Sequence, residues 1–216
     1  MMRSPTSLMR ALCALLLVAA AHAAAGDDAQ DLLARLQNRY KSVNDASVTF
    51  SQHTLFAVTK SENTSQGAFV MKKGNKYRVE FDEQTIVTDG KSLWSYSKSN
   101  NQVIINAYRE DPKSFSPDKI LVSVPENYIA AILGRETYRK RETTILKLTP
   151  KTKRSAVRWL KIWVDDDDAL MRKIQVYDAS ENTMTYELDE IRLNTGVADA
   201  LFTFVSPKTA EVIDLR

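Results

Sequence analysis

The stretch IVTDGKSLWSYSKSNNQVIIN, residues 86–106, decides how this chain is read. An acid, a glycine and a lysine at positions 89–91 stand between apolar runs, which makes either a small reactive cluster or a turn. The flanking pattern favours the turn. Asp-Gly between apolar runs is a strong hairpin signal, because a type I′ turn needs positive φ at both central residues and Asp and Gly accept it. Ser99-Asn100-Asn101 closes the next hairpin. The segment reads as strands joined by two turns, with no chemistry assigned to Asp89 or Lys91.

The same period-two pattern extends outward. Val48 and Phe50 alternate with Thr49 and Ser51, Tyr77, Val79 and Phe81 with Arg78, Glu80 and Asp82, and Met184, Tyr186 and Leu188 with Thr185, Glu187 and Asp189. One buried and one wet face is the antiparallel signature. Turn clusters at 73–75, 149–155, 165–168 and 179–182 separate these runs, and the absence of any β-helix-β repeat predicts a sheet that is antiparallel throughout. VRWLKIWV, residues 157–164, is apolar on both faces, so something must cover it on each side.

Two regions depart from this pattern. Ala29, Leu32, Leu33, Leu36, Tyr40 and Val43 recur at helical spacing after a cap at Asp27 or Asp28, which predicts a helix to about Val43 with one apolar stripe. In SPDKILVSVPENYIAAILG, residues 116–134, Ser116 and Pro117 can start a helix and Gly134 can end one. Pro125 divides the segment into two short helices bearing Ile120, Leu121, Val124, Tyr128, Ile129, Ile132 and Leu133. Short helices this apolar need a partner surface. They are candidate covers for an open sheet face in a mainly β fold with helices.

At the N-terminus, Arg3 and Arg10 precede an apolar run at 11–21 and Ala-x-Ala sites, the pattern of a cleaved secretory signal at 1–25. A single domain is then expected over 26–216, outside the cytoplasm. The only cysteine, Cys13, leaves with the signal, so no thiol or disulfide chemistry is expected. Removing Arg3 and Arg10 leaves 28 basic residues against 27 acids, a near balance that implies no polyanion partner, and nucleic acid is not expected.

The chemistry-bearing residues do not converge. His53 has no nucleophile placed with it. Asp165–Asp168 lacks the spaced ligands and glycine of an EF-hand and reads as a solvated loop. Glu80, Asp82 and Glu83 are explained by alternation. Lys72, Lys73 and Lys76 form one basic hairpin, and Lys151, Lys153 and Arg154 another, as solubilising loops or as contacts for an acidic partner or anionic headgroups. There is no phosphate loop, zinc spacing or G-x-S-x-G elbow. No enzyme, metal or cofactor is expected.

Taken in order, SVTFSQ at 47–52, QGAFVMKKGNKYRVEF at 66–81, IVTDGKSLWSY at 86–96 and ALFTFVSPKTAEVID at 200–214 resemble the LolA family of periplasmic carriers of outer-membrane lipoproteins. The resemblance implies an incomplete antiparallel β-barrel closed by a helical lid over a hydrophobic cavity for acyl chains. It implies acylated lipoproteins as cargo, an inner-membrane ABC-type lipoprotein-releasing complex as source, an outer-membrane receptor as acceptor, and a monomer. On that reading Leu33, Leu36, Phe50, Val70, Met71, Tyr77, Val79, Leu93, Trp94, Ile120, Leu121, Ile129, Ile132, Leu133, Met171 and Met184 form the cavity and lid. The family's hairpin arginine, which latches the lid, corresponds to Lys73, a point donor without arginine's planar fork, and the following proline corresponds to Gly74. A lipoprotein-sensing module of the same fold, or a carrier of another lipid, is the alternative reading.

Overall fold

A computed structural model describes residues 28–109, 128–152 and 155–216. Helix α1 spans 28–41 and ends close to where its stripe ends. All its stripe residues are buried, and Leu36 is wholly inaccessible. The strands follow in chain order. They are β1 (Asp45–Leu55), β2 (Glu62–Lys72), β3 (Lys76–Phe81), β4 (Gln84–Asp89), β5 (Ser92–Ser97), β6 (Gln102–Ala107), β7 (Tyr128–Tyr138), β8 (Arg141–Pro150), β9 (Val157–Asp165), β10 (Met171–Asp178), β11 (Thr183–Leu193) and β12 (Glu211–Asp214). A short 3-10 helix, Asp199–Phe202, precedes the last.

These strands form one twelve-stranded sheet in the order β12-β6-β5-β4-β3-β2-β1-β11-β10-β9-β8-β7. The end strands β12 and β7 do not pair, so the sheet stays open, as the incomplete barrel required. α1 lies against one face, called inner here. There its stripe joins Val48, Phe50, Phe69, Val79, Leu146, Ile162, Ile174 and Leu188 in one core cluster that links both halves of the sheet.

Two expectations are corrected. β12 runs parallel to β6, from Glu211↔Gln102 to Asp214↔Ile105, so the sheet is not antiparallel throughout. The chain reaches β12 after crossing the other face, and β12 keeps the direction of β11, which is also that of β6. The second helix expected before Gly134 is strand β7, paired from Tyr128↔Pro150 to Tyr138↔Arg141 with a bulge between Ile132 and Gly134. Pairing with the strongly alternating β8 outweighs a helical-looking run, and tertiary context commonly overrides propensity in this way. The first of those helices, with Ile120, Leu121 and Val124, lies outside the described residues, as does the N-terminal signal.

Residues 89–91 lie at the turn between β4 and β5. Only Gly90 takes positive φ (89°). The Asp89 carboxylate accepts the N–H groups of Lys91 and Ser92 at 2.8 Å each, and Thr88 Oγ1 accepts that of Gly90. Burial would raise the Asp89 pKa, but these N–H donors outweigh it and hold the group below its usual value. The turn is an Asx turn and not type I′.

Close approach fixes two glycines. A Cβ at Gly67 would sit 2.5 Å from the Phe50 ring and 2.7 Å from the Glu80 carbonyl oxygen, so its absence lets that ring lie across β2. A Cβ at Gly90 would sit 2.4 Å from the Gly74 carbonyl oxygen, so the two hairpin turns touch there. Gly74 has φ of 95° but open space around it. Gly74→Ala should therefore cost only the left-handed backbone penalty, about 1–2 kcal/mol. Gly90→Ala should cost more, because the clash adds to the φ penalty. Urea unfolding of the two variants checks that order.

Candidate functional site

The candidate site is the seam between α1 and the inner face. Cross-strand register places Ala46, Val48 and Phe50 of β1 beside Met71, Phe69 and Gly67 of β2, with Leu193, Ile191 and Leu188 of β11 on the other side. Tyr40, Val43 and these residues other than Phe50 and Gly67 border a cavity of about 10 Å³. That is about the space of one water molecule, so this part of the seam is closed and filled by side chains.

The seam is aromatic and soft. Phe50 meets Tyr186 edge-on at 6.0 Å, and Phe69 stacks on Tyr77 at 6.4 Å. Met71 and Met171 are buried, and Met184 packs half-buried against the same core. Burial pushes the Tyr40 and Tyr186 hydroxyls up to about 12, so both stay neutral. The Tyr40 hydroxyl accepts the Met171 N–H at 3.2 Å, a polar tie between helix and sheet inside an apolar seam.

Of the expected cavity residues, Leu33, Leu36, Phe50, Met71, Val79 and Met171 are buried at the seam, with Tyr77 and Met184 packed beside them. Leu93 is half-buried on the same face, opposite Thr88. Val70 and Trp94 are not there. Val70 sits opposite Ser47 and Arg78, and Trp94 opposite Val87 and Ile105, so both point to the outer face. Val70 stands between the apolar Phe69 and Met71 on β2, and Trp94 follows the apolar Leu93 on β5, so alternation alone could not assign them. Ile129, Ile132 and Leu133 lie on β7 with substantial exposure and are not part of a lid helix.

The outer-face cover is the part that sequence reasoning missed. Residues 194–210 cross the outer face of β2–β6 and are tied down at several points. The buried Asp45 carboxylate accepts the N–H groups of Thr195 at 2.8 Å and Gly196 at 3.1 Å, plus the Thr195 hydroxyl. Lys72 Nζ donates to the Val197 carbonyl at 2.9 Å and pairs with Asp199 at 2.8 Å, and Lys76 reaches the same carboxylate at 3.3 Å. Phe202 is buried, the 3-10 helix packs on β3 and β4, and Phe204 lies 5.8 Å from Tyr96. The lysines of this hairpin thus hold the C-terminal strap. Lys73, the expected latch, is exposed, and its backbone N–H donates to the Asn44 carbonyl.

The other candidates are structural. His53 pairs with Glu62 at 3.1 Å on the exposed surface. Asp165 is not solvated: its side chain is fully buried between Arg141 and Arg172, and Arg172 also holds Asp168. Among the described residues no group of three or more His, Cys, Asp or Glu could hold a metal ion, and no helix is long and apolar enough to cross a membrane.

Fold and site together define a helix-packed open β-sheet whose central feature is an apolar seam. Residues 41–205 match the family described as "Outer membrane lipoprotein carrier protein LolA", and the chain belongs to that family. It is 29% identical over 184 residues to an outer-membrane lipoprotein carrier protein of Histophilus somni (strain 2336), covering 84% of this chain and 86% of that one. It is 30% identical over 189 residues to one of Pasteurella multocida (strain Pm70), covering 86% and 88%. Among solved structures, an uncharacterized conserved protein from Thermus thermophilus is similar in fold, with a TM-score of 0.58 at 14% identity over 87% of this chain and 99% of that chain.

The strap makes stability pH-dependent. Burial raises the Asp45 pKa, but the N–H donors of Thr195 and Gly196 outweigh this and lower it below 3.8. A depressed carboxylate contributes fully above its unfolded value and loses that contribution as pH falls through the folded one. Asp45→Asn should therefore lower the melting temperature at pH 7, with the gap to wild type closing below about pH 4. Melting curves across that range check it.

Proposed function

We propose that this chain is a periplasmic carrier that holds the acyl chains of lipoproteins released from the inner membrane and delivers them toward the outer membrane. The family match over 41–205 is the single observation that carries this reading. The seam supports it physically. Each buried methylene is worth about 0.8 kcal/mol, so an acyl chain contributes on the order of 10 kcal/mol and cannot cross water unaided. A carrier needs an apolar surface and a removable cover, and no catalytic group.

The closed seam suggests how cargo enters. α1 is held largely by non-directional apolar contact, so acyl chains can replace its side chains against the inner face with similar burial on both sides of the exchange. Such an exchange runs downhill to a better acceptor without ATP. On this reading Leu33, Leu36, Phe50, Met71, Tyr77, Val79, Leu93, Met171 and Met184 contact cargo once α1 has parted from the sheet. Loading by an ABC-type complex and transfer to an outer-membrane receptor complete the proposed route.

Purification of the protein from its own periplasm, followed by mass spectrometry, should recover bound acylated lipoprotein. Recovery of only cargo-free protein from cells making lipoproteins would count against the reading. Met71, Met171 and Met184 supply side chains that repack easily. Replacing all three with Leu conserves volume and should cost less than about 1.5 kcal/mol per site. Uptake of cargo by that variant should nonetheless slow, which a release-coupled binding assay measures.

A further inference from the structure

The outer face carries, at one end of the sheet, an apolar belt that the carrier reading does not use. Register puts Leu55 of β1 opposite Thr183 of β11, Thr183 opposite Tyr177 of β10, and Tyr177 opposite Trp159 of β9. Leu148↔Leu160 sets Thr149 of β8 next to Trp159, and Thr149 pairs with Ile129 of β7. Trp159 and Tyr177 stack at 5.1 Å with 11° between their planes. Leu55 and Ile129, at the two ends, are both exposed. The row spans about 24 Å at the usual strand spacing.

Beyond Leu55 the β1–β2 turn extends the belt with Phe56 and with Val58, which is 90% exposed. This tip is braced. The Phe56 N–H donates to the Ser61 carbonyl and the Lys60 N–H to the Phe56 carbonyl. The Ala57 N–H donates to Asn182 Oδ1, and Asn182 is itself held by Asp178. The turn thus presents its apolar side chains from a fixed backbone.

Lysines flank the belt. Lys147 and Lys161 lie 6.0 and 5.2 Å over the Trp159 ring, and Lys60 sits on the tip. The nearby acids are Glu62, paired with His53, Asp178, which caps its own turn, and the exposed Glu181. A row in which Trp, Tyr and aliphatic side chains alternate with the short side chains of Thr149 and Thr183, edged by lysine stems, suits a membrane–water boundary, where rings sit at headgroup depth and amines reach phosphates. The belt is one residue row deep. That matches shallow burial at the headgroup–acyl boundary better than the broad patch of about 800 Å² that a stable protein interface needs on each partner.

We propose that this end of the outer face, with Phe56, Val58, Tyr177 and Trp159 as its apolar contacts and Lys60, Lys147 and Lys161 as its basic ones, docks reversibly on an anionic phospholipid surface. The contact is independent of cargo, which the carrier reading assigns to the inner face.

Cosedimentation of the purified protein with vesicles of phosphatidylcholine alone and of phosphatidylcholine with phosphatidylglycerol tests it. Binding should favour the anionic vesicles and weaken with salt. Phe56→Ser with Val58→Asp should lower it more than tenfold without moving the melting temperature, since both residues are exposed. Each of Lys147→Glu and Lys161→Glu should lower it about fivefold, whereas Lys98→Glu, on a distant turn, should not. Brominated lipid should quench tryptophan fluorescence in the wild type and not in Trp159→Phe. No preference for anionic vesicles, equal binding by the tip variant, or a tip-dependent dimer on gel filtration would each overturn the proposal. Cargo uptake by the tip variant should stay unchanged, so failure of docking and failure of the carrier reading remain separable.

Discussion

The structure depends on one burial event, the insertion of the α1 stripe into the inner face of an open sheet. A sheet whose end strands do not meet leaves an apolar face that water would otherwise cover. Leu32, Leu33, Leu36, Tyr40 and Val43 supply the cover, and one cluster then runs from β3 to β7 through the helix. Because the contact is apolar and non-directional, it is strong in sum and replaceable in kind. A hydrocarbon chain can make the same contacts as a leucine stripe. A sheet closed on itself would need no cover and could offer no such exchange.

The polar groups are used on the other side and at the ends. Asp45, Lys72, Lys76 and Asp199 fasten the C-terminal strap over the outer face of β2–β6, and Asp165 is neutralised by Arg141 and Arg172 at the end of β9. Directional bonds therefore fix the outer cover while the inner cover rests mainly on packing. On the proposed carrier reading, the face fastened by ion pairs serves as scaffold, and the face sealed by packing is the one that parts.

What the sequence revealed and what it concealed follow from locality. The α1 stripe was legible because a 3.6-residue period is a local signal, and every residue named for it is buried. The hairpins were legible because Asp89-Gly90 and Asn75 announce their turns. β7 was misread because Tyr128–Gly134 lacks alternation. Only pairing with Leu146 and Leu148 of β8, and a bulge at Leu133, make it a strand. The parallel β12 depends on a crossing segment whose contacts lie more than a hundred residues away in sequence. Val70 and Trp94 were assigned to the wrong face because a strand apolar on both sides carries no directional information. The family resemblance identified the carrier class where no single site motif could.

The central claim is that α1 parts from the sheet when cargo enters, and a distance across the seam tests it most directly. The only cysteine lies at position 13, so spin labels can be placed at Ala34→Cys on the exposed side of α1 and at Gln66→Cys on the exposed side of β2. Double electron–electron resonance on cargo-free and lipoprotein-loaded protein should give a longer and broader distance distribution after loading. Superimposable distributions, with cargo shown to be bound, would contradict the account.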